Sequence, residues 1–336
     1  MWKKYIFYAI LIAIALFFAG RLFLVNHKIG KEEFNFERYV KDTINTKYQW
    51  HVIPQRGSAH VVNGIISFYI AGARLQNRNG TQNVAFYYYP VENALDVLAT
   101  SKIQKKVHIV YLTSQEWVCA DNENSKIHKS KLPVQTQSAA IINDSVLLIR
   151  LFDFKDKKNY IKIIDTFGNV LYSFKEVYPV NDDGGLSVAA TLLADSNYIY
   201  SISQYTNNVY RISKKDGRVK HFTTIEKIAQ YPKTIKHRNS YSFKENPYMV
   251  HPNAKLVDGK FYILSAIRDN AYLKNNTKLV YIDVYDTEFR YLHSLVVKDV
   301  SYNDLTDYLI FGNDISLVRG YEYMTTIIYN EDEELL

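Results

Sequence analysis

The chain has 336 residues, of which 47% are hydrophobic and 22% charged, and it carries a formal net charge of +7. This composition excludes wholesale disorder and low-complexity sequence, and the single cysteine excludes an intramolecular disulfide, a Cys-rich zinc module and a CxxC redox site. Aromatic residues make up 15% of the chain, and because aromatic side chains prefer strands, the composition favours an all-β body.

The segment 5–25 is predicted to be a transmembrane anchor. Its sequence, YIFYAILIAIALFFAGRLFLV, contains one charge, at Arg21. A helix of this length spans about 31 Å, which is enough for a hydrocarbon core of ~30 Å. A cleaved signal peptide is the alternative. However, cleavage after Ala19 or Gly20 would place a phenylalanine at the −3 position, where cleavage needs a small residue.

The charges that flank this segment predict its orientation. Lys3 and Lys4 favour a cytoplasmic N-terminus over residues 1–4, because positive flanks stay inside. The cations that follow the segment, Lys28, Lys31, Arg38 and Lys41, favour the reverse, but a long folded domain translocates largely regardless of charge. We therefore expect a single-pass protein of a bacterial inner membrane. A polar membrane-proximal linker is predicted over residues 26–47, and a periplasmic domain over residues 48–336.

From residue 48 onward, short apolar runs alternate with turn residues and predict β-strands. The predicted strands are Ile65–Ile70, Val84–Tyr89, Val107–Leu112, Val146–Phe152, Tyr160–Ile164, Val170–Phe174, Tyr198–Ser203, Val209–Ile212, Val219–Phe222, Phe261–Ile267, Leu279–Tyr285, Tyr291–Val296 and Tyr323–Tyr329.

Three sets of these runs repeat one plan. Residues 145–174, 196–222 and 259–295 each show a strand, a loop, a strand, a tight turn and a strand. Gly168 and Gly217, 49 positions apart, fit the positive φ that such turns require. A repeat of about 45 residues built from antiparallel strands indicates propeller blades, and the predicted domain has room for about six.

Two of these runs carry a resemblance to a known architecture. YIKIIDTFGNVLYSF at 160–174 and VYRISKKDGRVKHF at 209–222 resemble the outer hairpins of six-bladed β-propellers of the NHL/TolB-like type. The sequence has no YWTD run, no WD dipeptide pattern and no NHL tripeptide. The resemblance implies an all-β fold with six blades. It implies no particular function, since this group includes binding scaffolds, hydrolases, lyases and sensor domains.

The sequence contains no local catalytic motif. GxSxG, HExxH, GxxxxGK[ST] and GxGxxG are all absent, and no two of the nine histidines are spaced i,i+2 or i,i+4. His60 and His251 could face a propeller axis, and Cys119 is expected to be a packed thiol. No metal site or cofactor is predicted. An enzyme with a site assembled at the axis, metal-dependent or lyase- or cyclase-like and acting on a sugar or peptide, is the alternative function.

The segment 225–245, IEKIAQYPKTIKHRNSYSFKE, is the strongest candidate for a contact surface. It holds five cations against two acids, with three aromatic residues between them, and it is longer than an ordinary connection. We expect an exposed loop at one rim, although a solvated connection is the alternative. The predicted contact residues are Lys233, Lys236, His237, Arg238 and Tyr241.

These features predict a membrane-anchored binding or scaffolding module. Its expected partner is an anionic protein, glycan or lipid surface. Basic residues mixed with aromatic residues can also bind nucleic acid, but a membrane-tethered body favours the other partners.

Overall fold

The computed structural model describes residues 38–44, 48–51, 57–62, 65–71, 84–89, 97–103, 106–112, 114–121, 126–133, 135–174, 183–238, 240–245, 247–265, 279–298, 305–311, 314–319 and 323–328. Every element of regular secondary structure in these segments is a strand, which confirms the all-β prediction. The predicted N-terminus 1–4 and anchor 5–25 lie outside the described residues. Within the described segments, no helix has the length and apolar character needed to cross a membrane.

Twenty-six strands are described. In chain order, the first thirteen are β1 Val40–Ile44, β2 Tyr48–His51, β3 Gly57–Val62, β4 Ile65–Ala71, β5 Val84–Tyr89, β6 Val97–Ile103, β7 Lys106–Tyr111, β8 Glu116–Asp121, β9 Lys126–Lys131, β10 Thr136–Asn143, β11 Val146–Asp153, β12 Lys158–Asp165 and β13 Val170–Phe174. The next thirteen are β14 Ala190–Ala194, β15 Tyr198–Ser203, β16 Asn208–Ser213, β17 Val219–Thr223, β18 Thr234–Lys236, β19 Tyr241–Phe243, β20 Asn253–Val257, β21 Lys260–Ser265, β22 Leu279–Asp286, β23 Tyr291–Lys298, β24 Leu305–Phe311, β25 Asp314–Arg319 and β26 Tyr323–Ile328. Every predicted run is among them, with ends that differ by at most two residues.

The described strands form seven sheets. Three are four-stranded antiparallel meanders, made of β6–β9, β10–β13 and β14–β17. A fourth meander, β20–β23, gains β1 as a parallel fifth strand on its outer edge. The remaining sheets are β3–β5, the hairpin β18–β19, and a sheet that joins β24–β26 to β2.

The sheets follow one another around a ring. Their first strands, β3, β6, β10, β14, β20 and β24, contact one another in that order, and β24 in turn contacts β3. In each of these sheets the first strand lies at the inner edge and the strands that follow it lie farther out, with β1 and β2 added at the outer edges of the β20–β23 and β24–β26 sheets. This is the arrangement of a β-propeller, in which adjacent sheets cover each other's faces.

The packing of adjacent sheets explains the apolar middle strands. Residues 147–152 of β11 are buried without interruption, because neighbouring sheets cover both faces of that strand. Leu148 and Ile161 of one sheet pack against Leu192 of the next. In contrast, four of the five residues of the outer strand β13 are exposed.

The tight turns contain one exception to the glycine rule. Gly168 and Gly217 have φ values of +83° and +68°, as predicted. The equivalent position of the third set is Phe289, with φ of +55°. The Phe289 ring is buried and stacks on Phe261 at 4.4 Å between ring centroids. Apolar packing therefore offsets the backbone strain that a side chain meets in this region.

The predicted linker 26–47 is described only at residues 38–44, and these residues belong to the folded body. β1 pairs with β23, and the Ser294 amide donates to the Tyr39 carbonyl at 2.7 Å. The Arg38 side chain is fully buried. The sequence VKDTI of β1 carries two β-branched residues at its ends and a third within it, which suits an added strand.

Candidate functional site

The segment predicted as the contact surface forms a short antiparallel hairpin within the connection from β17 to β20. β18 pairs with β19, and Lys236 lies opposite Tyr241. The backbone N–H of His237 donates to the carbonyl of Ser240 at 2.8 Å and closes the turn. Residues 233–244 are called the basic hairpin below.

Four of the five predicted contact residues are exposed on the basic hairpin: Lys233, Lys236, His237 and Arg238. The fifth, Tyr241, is half-buried, and the Lys236 ammonium lies 5.5 Å from the centroid of its ring. The structure therefore brings all five side chains onto one element. Their contact with a partner stays a prediction.

The aromatic residues of the segment face the propeller body rather than the solvent. The Tyr241 ring stacks on Phe154 of the β11–β12 turn at 6.4 Å, and Phe243 meets Tyr205 edge-on at 5.1 Å. The Tyr231 hydroxyl accepts a hydrogen bond of 3.2 Å from an asparagine of β16. These rings attach the hairpin to the body and leave its cations in solvent.

Buried polar groups close the base of the connection that carries the hairpin. The side chains of Glu226 and His251 are both fully buried, and Glu226 Oε2 lies 3.2 Å from His251 Nε2. Thr224 Oγ1 lies 3.1 Å from the same nitrogen. His251 Nδ1 must be protonated, because it donates to the Ser203 carbonyl at 2.9 Å.

Arg38 enters the same buried region from the N-terminal side of β1. Its Nε donates to Asp283 Oδ1 at 2.9 Å, and its Nη2 donates to Glu226 Oε1 at 3.2 Å and to Ser265 Oγ at 2.8 Å. Ser265 Oγ in turn donates to Glu226 Oε1 at 2.7 Å. The guanidinium also lies 4.3 Å from the centroid of the Tyr281 ring. Arg38, Glu226, His251, Ser265 and Asp283 are called the buried network below.

Opposite charges shift the pKa values of the buried network. Burial would raise the pKa of Glu226, but the charges of His251 and Arg38 hold it well below its usual range. Burial would lower the pKa of His251, but the Glu226 carboxylate raises it above its usual range. Burial raises the pKa of Asp283 to about 6, against the opposing charge of Arg38. Below the raised pKa of His251 and above that of Asp283, two cations therefore face two carboxylates.

Sequence reasoning missed this network. Arg38 belongs to the predicted linker, Glu226 counts among the acids of the contact segment, and His251 is a candidate for the axis. In the structure, His251 bonds Glu226 and a backbone carbonyl. The β-branched residues after Arg38 were the available sign of a strand, but no local pattern pairs Arg38 with a carboxylate 188 positions away.

The remaining histidines and the cysteine form no metal-binding group in the described part of the chain, where no cluster of three or more His, Cys, Asp or Glu could hold an ion. Cys119 Sγ lies 3.9 Å from Nε2 of the buried His108, and Asp144 Oδ1 lies 3.4 Å from the same nitrogen. A base that is oriented by a carboxylate needs the two partners on different nitrogens, so this arrangement lacks that geometry. The enzyme alternative stays a prediction.

Comparisons with known proteins place the chain near other solved structures at low identity. No family model matches the sequence, and no curated protein matches it. The WD40 β-propeller domain of Doa1 has 9% identity and a TM-score of 0.48, with 89% of this chain and 95% of that chain covered. A suspected exported protein of Bacteroides fragilis has 9% identity and a TM-score of 0.49, covering 87% and 100%.

A calcium-binding protein, regucalcin from Agrobacterium tumefaciens, has 10% identity and a TM-score of 0.46, with 86% of this chain and 96% of that chain covered. All three TM-scores lie below 0.5. The propeller assignment of this chain therefore rests on its own sheet topology.

Proposed function

We propose that this chain is a membrane-anchored, six-bladed β-propeller of the NHL/TolB-like type that acts as a binding module in the bacterial envelope. In this proposal, residues 5–25 hold it in the inner membrane and the propeller lies in the periplasm. The basic hairpin is its contact surface for an anionic partner. Six first strands that contact one another in a ring support the blade count.

One observation carries the proposal, namely the excess of exposed positive charge on the connection. Of its two acids, Glu226 is buried and paired, so Glu245 is the single acid that faces solvent between residues 225 and 245. Five exposed cations remain on that surface: Lys227, Lys233, Lys236, Arg238 and Lys244. Such a surface attracts anionic groups over roughly a Debye length, about 8–10 Å near physiological salt.

A triple variant of the full chain tests this proposal. Lys233→Ser, Lys236→Ser and Arg238→Ser together remove three exposed charges and keep the aromatic residues that hold the hairpin. The probes are vesicles that contain phosphatidylglycerol, for a lipid partner, and poly-glutamate, for an acidic protein. We expect the unmodified chain to bind at least one probe, more weakly at high salt. The variant should bind it at least tenfold less well, since each basic residue near an anionic surface contributes ~1 kcal/mol.

A second triple variant is the matched control. Lys129→Ser, Lys215→Ser and Arg290→Ser also remove two lysines and one arginine, and all three are exposed elsewhere on the propeller. Its affinity should stay within about twofold of the unmodified chain, with only the small effect of net charge. Equal losses in both variants, or binding to neither probe, would show that the basic hairpin is not the contact surface.

A further inference from the structure

The connection that carries the basic hairpin leaves and rejoins the body at two neighbouring points. Glu226 lies at the first point and His251 at the second, and their side chains are in direct contact. Backbone bonds tie the same base to the β15–β16 turn: the Asn207 N–H donates to the Ile228 carbonyl, and the Val250 N–H donates to a carbonyl of that turn, both at 2.7 Å. The hairpin therefore stands on a base whose centre is a buried ion pair.

Glu226 divides its two oxygens between two sides of the molecule. Oε2 faces His251, whereas Oε1 accepts from Arg38 and from Ser265. Arg38 precedes β1 and is separated from Glu226 by 188 positions in the sequence. A residue of the N-terminal flank thus contacts the base of the basic hairpin directly.

Because these groups are buried, losing their contact is costly to the stability of the base. The side chains of Arg38 and Glu226 are both inaccessible to solvent, and that of Asp283 is nearly so. Removing one partner of such an arrangement leaves an uncompensated buried charge, which is far more costly than losing an exposed pair.

We propose that Arg38 is a positioning residue for the basic hairpin, holding its base rigid through Glu226. This inference rests on the proposed function, because it assigns the N-terminal flank a role in the binding surface. Arg38 contacts no partner itself. Its loss frees Glu226 on one side, so that the base opens more often and the exposed cations are held less firmly.

Hydrogen–deuterium exchange of the full chain, measured without any partner, tests the positioning role. In Arg38→Met, we expect exchange of residues 225–250 to become about tenfold faster or more, as expected for losing hydrogen bonds between charged groups. Residues 160–174, in a sheet remote from Arg38 and outside the contact of the hairpin with Phe154, are the internal reference and should exchange at the original rate. Arg38→Lys keeps the charge but loses the fork of donors, so its exchange should be intermediate.

Arg290→Met is the matched control, because Arg290 is exposed in the same sheet and pairs with Asp286 at 2.6 Å. It should leave residues 225–250 unchanged. The inference would be overturned if exchange in Arg38→Met became faster throughout the chain, or if it did not become faster between residues 225 and 250. If that variant does not fold, Ser265→Ala decides, since it removes one bond to Glu226 without leaving a charge unpaired. An increase confined to residues 225–250 supports the inference, and any other result overturns it.

Binding of phosphatidylglycerol vesicles and poly-glutamate by the same variants separates this inference from the proposed function. If Arg38→Met loosens residues 225–250 and binds several-fold less well, both hold. If it loosens them with unchanged binding, Arg38 still positions the hairpin, and the hairpin is not the contact surface.

Discussion

Glu226 has a buried cationic partner on each side of its carboxylate, and three members of the buried network, Glu226, Asp283 and His251, respond differently to pH. Glu226 has a lowered pKa, so its contribution to stability is present above its unfolded value of 4.5 and is lost as the pH falls. Asp283 has a pKa raised from 3.8 to about 6, so its contribution is present below 3.8 and is lost by about pH 6. His251 has a raised pKa, so its contribution is present below 6.5 and is lost as the pH rises.

Of the two described histidines with a shifted pKa, the Glu226 carboxylate raises that of His251 and burial lowers that of His108. We expect the free energy of unfolding to decrease as the pH rises above 6.5, because the unfolded chain loses the His251 proton at a lower pH than the folded chain, where the Glu226 carboxylate raises the pKa. Denaturant unfolding at several pH values measures this slope. In Glu226→Gln, His251 loses the carboxylate that raises its pKa, so the slope should flatten. A slope that is flat or rising in the unmodified chain contradicts the assigned charge state.

At the scale of the element, a position in the ring or in a packed turn can override the preference of the local sequence. The first strands β10, β14 and β20 were not predicted, because their sequences mix small and polar residues with the apolar ones. Their place at the centre of the ring, where strands from neighbouring sheets approach each other, explains that composition. The turn of the third set also departs from local preference, because the large residue Phe289 occupies a position with positive φ that favours glycine.

Replacing Phe289 tests this balance of strain and packing. Phe289→Ala loses a buried ring and should cost about 3–5 kcal/mol of unfolding free energy. Phe289→Gly loses the same ring but relieves the positive φ, so it should be at least as stable as the alanine variant. Phe261, buried in β21, is the control, because glycine there should be less stable than alanine. If the alanine variant is more stable than the glycine variant at both positions, as measured by chemical denaturation, strain at Phe289 is ruled out.

At the scale of the whole molecule, the ring joins distant parts of the chain. β2 of the N-terminal part completes the sheet of β24–β26, and β24 contacts both β3 and β20. Among the described strands, each of the six sheets in the ring can therefore separate only by exposing the faces of its two neighbours. The predicted domain 48–336 is therefore expected to unfold as one body.

Limited proteolysis checks this expectation. A cut near residue 180 should leave two fragments that remain associated under native conditions, because each half lacks the neighbours that cover its terminal sheets. Gel filtration after cleavage should show one species of the original size. Two separately folded fragments would mean that the chain contains two domains.

The sequence by itself determined thirteen of the twenty-six described strands, the positive-φ turns at Gly168 and Gly217, the propeller plan and the exposed cations of the basic hairpin. These features depend on alternation, turn chemistry and charge within a few residues, which are local properties. Tertiary structure alone decided the buried network and the burial of Glu226, because Arg38 meets Glu226 and Asp283 across 188 and 245 positions. Burial and pairing over such separations depend on which sheets become neighbours, and local patterns do not encode that.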